Sequence, residues 1–435
     1  MELGQVCLLT ELGHLSNLTR DRGSSPLAKR LSDELNPYPR RFPEEMSRPT
    51  LLRPMAQILR LAPLALAVAS GTARAAPENL TEPETATSAT LPAPSKDWFF
   101  VRGYFETGGT SIVDSATSKM LGMVNTSGWS DLAFDPMGKV YYVAETLWSK
   151  GNRGTRQDMV SVYDAKTLLL QTEIPIPGRL IIGAQLNNFA VSADGKTGYV
   201  YNLTPAASVN VVDLVKRKFV KNVELPGCAG MMPIAEGLVS VCSDGSLATV
   251  NLTGAKAEIT RSAPFFVPTV DPVFDSFSYS AVKKQAVFIS YTGLIYTAKI
   301  GAKPEVAAPF SIQAAAGLRA GDTKPLDVNW LPGGWQVSAW HRASNHLYVL
   351  MHMGEYWSQK ELGSEIWDVD LTAKKVVRRF PLEDKAGNLE VTQGDKPKLF
   401  VNSGRDGVVI DLATWKAGPK IKRISGGIIS TIEAP

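Results

Sequence analysis

The sequence predicts an all-β protein built as a seven-bladed β-propeller, and three observations carry that prediction. A short strand ending in an acidic turn recurs seven times, the runs around it are short and rich in aromatic or β-branched residues, and no stretch shows the apolar period of a long amphipathic helix. The clearest copy is SVYDAKT, Ser161 to Thr167. Ser161, Val162 and Tyr163 suit a pleated strand, and Asp164 and Thr167 supply the carboxylate and hydroxyl that bond the backbone of a tight turn. Worn copies end at Asp114, Asp164, Asp213, Asn251, Lys299, Asp370 and Asp411, at spacings of 50, 49, 38, 48, 71 and 41 residues. Periods of this size mark an array of small sheets, and only the 71 needs an insertion.

Taken in order, the first 54 residues mix Arg, Glu and Pro without a sustained period and read as an upstream extension outside the translated protein. Residues 55–75 read as a secretory signal peptide starting at Met55, or at Met46 with a longer basic region. Arg60 precedes the apolar run Leu61 to Ser70, and Ala73, Arg74 and Ala75 follow. Only 13 uncharged residues separate Arg60 from Arg74, against the ~20 that a spanning helix needs. Residues 76–95, with four prolines and few large apolar groups, have the composition of an extended arm. The propeller then occupies 96–435, where runs such as WFFVRGYF, KVYYVAE, TGYVYNL and HLYVLMH are bounded by turn pairs such as Asp194 with Gly195. Without helical crossovers the sheets must be antiparallel, and seven four-stranded repeats bury their faces best by radial stacking. The insertion between Lys299 and Asp370 is long enough to expect a surface function.

Composition excludes several classes. Without residues 1–75 the chain has 36 basic and 35 acidic groups, so its net charge of +1 gives no electrostatic footprint for nucleic acid or an anionic membrane. Cys228 and Cys242 remain, and in an oxidising compartment they are expected to bond across a hairpin turning near Glu236, two buried thiols being the other reading. Neither begins a CxxCH haem motif. His341, His346 and His352 invite a metal reading, but the last two stand about 20 Å apart along one strand and are better read as structural. There is no GxSxG, HExxH or phosphate loop, so no catalytic residue and no metal or cofactor ligand is assigned on this chain.

Several blocks together resemble one family. LPGGWQVSAWHRASNHLYVLM (Leu331 to Met351), the RGxRxD loop with Arg153, Gly154, Arg156 and Asp158, the cysteine hairpin with CSDGSLATVNL, and SYTGLIY are similar to the heavy subunit of the quinoprotein amine dehydrogenases. The resemblance runs from about Lys96 to Pro435 and implies seven blades. It also implies a periplasmic subunit without catalytic residues of its own. The light subunit would carry tryptophan tryptophylquinone, two heavy and two light chains would form a heterotetramer, and electrons would pass to a blue copper protein of the amicyanin or azurin kind. The family carries an aromatic residue, usually phenylalanine, after a glycine in the segment matching VNTSGWSDLAFDP, lining the passage to the quinone. That implies a substrate-channel role for Trp129, packing between blades being its other reading. A stand-alone periplasmic propeller that binds a ligand or protein, and a propeller lactonase with a central cation, are the alternatives from other classes.

The signal-peptide and cysteine readings make one joint prediction. Intact-mass measurement of secreted protein should find a chain starting at Ala76 or Pro77 with no alkylatable thiol until reductant is added; a mass that includes residues 1–54 would refute it.

Overall fold

The computed structural model describes residues 90–433 apart from 104–107, 129, 182–184 and 425. Trp129 and the readings made for residues 1–89 therefore lie outside the described residues. The strands form seven antiparallel sheets in a ring. Blade 2 is the plainest, with Ser130–Phe134 innermost, then Val140–Lys150, Arg153–Asp164 and Leu170–Pro175 outermost. Blades 3 to 7 begin at Phe189, Cys228, Ser278, Asn329 and Asn388 in turn. Blade 1 takes Trp98–Arg102, Thr110–Asp114 and Lys119–Val124 from the start of the propeller and its innermost strand, Ile429–Ser430, from the other end of the chain.

All seven recurrent marks fall at the end of the third strand of a blade. Asp164 explains why the copy persists: its Oδ1 accepts the backbone N–H of Lys166 at 2.9 Å and of Thr167 at 2.8 Å. Those bonds hold its carboxyl below the usual carboxylate range. The residue four places on is left-handed, Leu168 at φ 58° here and Ser118, Arg217, Lys374 and Trp415 at the matching places. The aspartate offsets that local strain by occupying backbone donors that the turn leaves open. Asn251 caps Thr253 in the same way, whereas Lys299 pairs across its hairpin with Glu305 at 3.7 Å.

The third strands of blades 3 and 4 are buried along almost their whole length, and that of blade 2 is buried over Met159–Tyr163, because neighbouring blades cover both of their faces there. The outermost strands alternate, as in the exposed Lys218, Val220 and Asn222 and the buried Val223 of blade 3. The core accordingly lies between blades: Val160, Val162 and Ile174 of blade 2 meet Phe189, Val200 and Val212 of blade 3. Cys228 and Cys242 face each other across the first hairpin of blade 4 and are disulfide-bonded, as expected. The 71-residue gap holds the only helix among the described residues, Ile312–Ala315, and two short strands of blade 5.

Ring closure uses little ladder: Phe100 pairs with Ser430 and Val101 with Ile429. Side chains of other blades complete it. Gln336 of blade 6, fully buried, accepts the Ile429 N–H and donates to the Ile429 carbonyl, both at 2.9 Å. Asn388 of blade 7 donates to the Gly426 carbonyl at 2.8 Å. The same Gln336 amide donates to Glu390 at 3.0 Å, and burial pushes that carboxyl up to about 7 from 4.5.

A carboxyl whose pKa is raised on folding binds more protons in the native than in the unfolded chain between those two values. Glu390 should therefore make stability fall as pH rises from about 4.5 to about 7 and add no further slope above that. Urea midpoints across this range should lose that slope in Glu390→Gln; an unaltered slope would show that Glu390 is not its source.

Candidate functional site

The long connections gather on the face opposite the acidic turns. Blade 2 extends its second and third strands into a projecting hairpin whose tip, residues 151–152, uses Gly151 at φ 71°. Blade 6 adds the segments 312–328 and 355–362. The helix is capped by Ser311, whose side chain accepts the Ala314 N–H at 3.2 Å. Gln313, fully buried, donates to the carbonyls of Thr292 at 2.8 Å and Trp330 at 2.7 Å, which ties the insertion to blades 5 and 6. On the second segment the Tyr356 ring lies 4.7 Å from Trp357, which meets Tyr291 edge-on at 5.7 Å, and the Tyr356 hydroxyl donates to the Val270 carbonyl. Trp335, Trp357 and Val328 are half-exposed here and Leu326 almost fully so. An aromatic and apolar surface on well-tied loops is suited to a protein partner.

The segment that carries position 129 is pinned on both sides. Asn125 accepts the Tyr163 hydroxyl at 2.6 Å on its carbonyl, and the Ser127 N–H donates to Glu145 at 2.8 Å. Glu145 is buried and takes a second bond, from the Ser161 hydroxyl, at 2.6 Å. After the gap, Asp131 forms a buried ion pair with Arg102 of blade 1 at 2.9 Å and another with Arg179. The RGxRxD residues join this network. Arg156 and Asp158, two apart on one strand face, form a bidentate pair at 2.8 and 2.9 Å, and Arg156 also donates to the Arg179 carbonyl. The Arg156 guanidinium lies 5.8 Å from the partly exposed Trp148 ring, so the motif braces the projecting hairpin.

Strand register links position 129 to the PGGW block. In blade 2 Val140 pairs with Asp164 and Phe134 with Tyr141; in blade 6 His346 pairs with Asp370 and Trp340 with Leu347. Counting back from Phe134 and Trp340 puts residues 129 and 335 at matching chain positions, each a tryptophan after a glycine. The glycines of the block have a packing reason. A Cβ on Gly333 would lie 2.4 Å from the Glu361 carbonyl oxygen, and Gly334, at φ 130°, leaves only 2.6 Å to that of Gly387.

The histidines have separate partners: Ser344 for His341 at 2.7 Å, Asp368 for His346 at 2.6 Å and Ser358 for His352 at 2.8 Å. Burial lowers the pKa of His341 and His352 and raises that of Asp275, which accepts from Gln185 at 2.6 Å. Among the described residues no three His, Cys, Asp or Glu side chains converge in a metal-binding group. Sequence reading missed Glu145, Asp131 and Arg179, which sit singly in ordinary strands and loops; Trp335 lay in a quoted motif without an assigned role.

The profile of the methylamine dehydrogenase heavy chain family matches residues 101–425, the blades together with both networks just described. The chain belongs to this family. The heavy chain of methylamine dehydrogenase from Methylobacillus flagellatus is 30% identical over 67% of this chain and 72% of its own length. That of Methylophilus methylotrophus is 29% identical over 67% and 71%, and that of Methylorubrum extorquens 24% over 73% and 77%. Among solved structures, a protein of unknown function from Desulfotomaculum acetoxidans is similar at TM-score 0.53 and 12% identity, over 78% of this chain and all of the other. A putative 6-phosphogluconolactonase from Bacteroides uniformis is similar at 0.51 and 12%, over 77% and 100%. At these identities the two structures support the fold alone. For this heavy-chain family member, two quoted blocks now have structural roles: RGxRxD braces a hairpin and PGGW permits close packing of blades 6 and 7.

The buried pairs of Asp131 predict a sharp contrast. Asp131→Ala, which takes the paired carboxylate from two buried guanidinium groups, should cost about 3–5 kcal/mol in urea unfolding. Removing Glu305 from its exposed pair with Lys299 should cost under about 1 kcal/mol. Equal losses would refute the bracing role.

Proposed function

We propose that this chain is the scaffold subunit of a periplasmic amine dehydrogenase that converts a primary amine and water to an aldehyde and ammonia, releasing two electrons and two protons. The observation that carries the reading is the family match across residues 101–425. In this reading tryptophan tryptophylquinone sits on a light subunit and takes up the electron pair, which then leaves for a blue copper protein. This chain contributes no catalytic residue. Its part is to bind and orient: the loop face with Trp335, Tyr356 and Trp357 covers the light subunit and excludes water from the shared site. Two heavy and two light chains make up the assembly.

Trp129 is proposed to line the substrate passage. The bond that Glu145 accepts from Ser127 and the one that Tyr163 donates to Asn125, with the ion pairs of Asp131, tie down the residues on either side of it. A flat indole narrows an apolar passage and stacks on an alkyl or aromatic amine without adding charge.

The isolated chain should have no amine-oxidising activity and no quinone absorbance, and adding matured light subunit should restore turnover with an artificial electron acceptor. Activity from this chain alone would overturn the assignment, and failure to capture any light subunit would favour a stand-alone binding propeller. In the assembled enzyme, Trp129→Ala should change the ratio of kcat/KM values for small and bulky amines. An unchanged ratio with normal assembly would remove the channel role, and a loss of about 3–5 kcal/mol in stability would instead mark a packing role.

A further inference from the structure

The face formed by the acidic turns has a chemistry of its own. It comprises the turns between first and second and between third and fourth strands, with residues 96–97 and 431–433. Five of the seven third-strand turns carry a lysine, and in blades 1 and 7 Lys119 and Lys416 open the strand that follows the turn. Over these turns and the strand residue at either end of each, nineteen Lys or Arg stand against thirteen Asp or Glu, although residues 76–435 together are nearly neutral. The excess of positive charge is therefore balanced on other surfaces.

Apolar side chains are set among these lysines. Met137, Leu169, Val215 and Val282 are 66% to 72% exposed, more than any other large apolar side chain among the described residues except Leu326. Each sits on a turn of this face close in sequence to a cation: Met137 to Lys139, Leu169 to Lys166, Val215 to Lys216, and Val282 to Lys283. Between blades 3 and 4 the face also opens into a groove of about 580 Å³. Val215, Val220 and Leu252 line it together with Lys196, Lys216 and Lys221. Two carboxylates share the lining. Asp213 accepts the Lys216 N–H at 2.8 Å and lies 3.4 Å from its ammonium, and Glu236 belongs to the first turn of blade 4.

We propose that this face docks on an anionic phospholipid bilayer, with one lipid headgroup seated in the groove between blades 3 and 4. Spaced apolar tips on blades 2, 3 and 5, separated by cations, fit a plane that is touched at several points at once. A globular protein of ordinary interface size would instead be met by one contiguous patch. Each tip enters the headgroup layer by a side chain, and each lysine adds attraction that salt screens. This proposal goes beyond the amine dehydrogenase reading and does not depend on it.

Purified mature protein should sediment with phosphatidylcholine vesicles containing about 30% phosphatidylglycerol at low salt, lose about tenfold in affinity near physiological salt, and ignore pure phosphatidylcholine. The triple variant Lys196→Glu/Lys216→Glu/Lys221→Glu and the pair Leu169→Ser/Val215→Ser should each weaken binding about tenfold or more, with unchanged circular dichroism. Lys150→Glu/Lys360→Glu, on the opposite face, should leave it unchanged. No sedimentation at low salt would overturn the proposal, as would equal loss in the opposite-face variant. Binding to polyglutamate but not to vesicles would overturn it in favour of an acidic protein partner.

Discussion

Everything in this ring hangs on a closure that is narrow in backbone terms. Two residues, Ile429 and Ser430, complete blade 1, and a ladder that short has little stability of its own. The fully buried Gln336 amide supplies what the ladder lacks, because its oxygen and nitrogen match both backbone groups of Ile429. Leaving those groups unpaired in the interior would cost about 1–3 kcal/mol each, so one side chain from blade 6 governs whether blade 1 keeps its inner strand. Glu390 fixes which way that amide points, which places a titrating carboxyl beside the junction.

Much of the fold was legible because its signal is repeated. An aspartate that caps a turn does so with its own backbone neighbours, so the pattern survives in sequence however the blades pack. The closing strand left no such trace: two residues cannot display a period of two, and their partner lies more than three hundred residues away. Gln336 was equally silent, since its role comes from contacts with blades 7 and 1.

The candidate site divides in the same way. RGxRxD could be quoted as a family block, and the strand geometry then explains its spacing, with Arg156 and Asp158 on one face. The buried triad of Arg102, Asp131 and Arg179 is drawn from three separate parts of the chain and has no local pattern. The likeness of positions 129 and 335 becomes readable only once register is known, because the blades around them differ in loop length. Charge behaved similarly. A net value near zero hides a difference between faces that depends on every basic turn pointing the same way.

The position of the closing strand also sets an order of events during synthesis. Trp98–Arg102 is made more than three hundred residues before the strand that covers its inner edge. Until then the first blade presents an open strand edge and the buried surface of Phe99, Phe100 and Val101. An unfinished chain therefore stays a template for wrong pairing, and the propeller passes from vulnerable to sealed in a single late step.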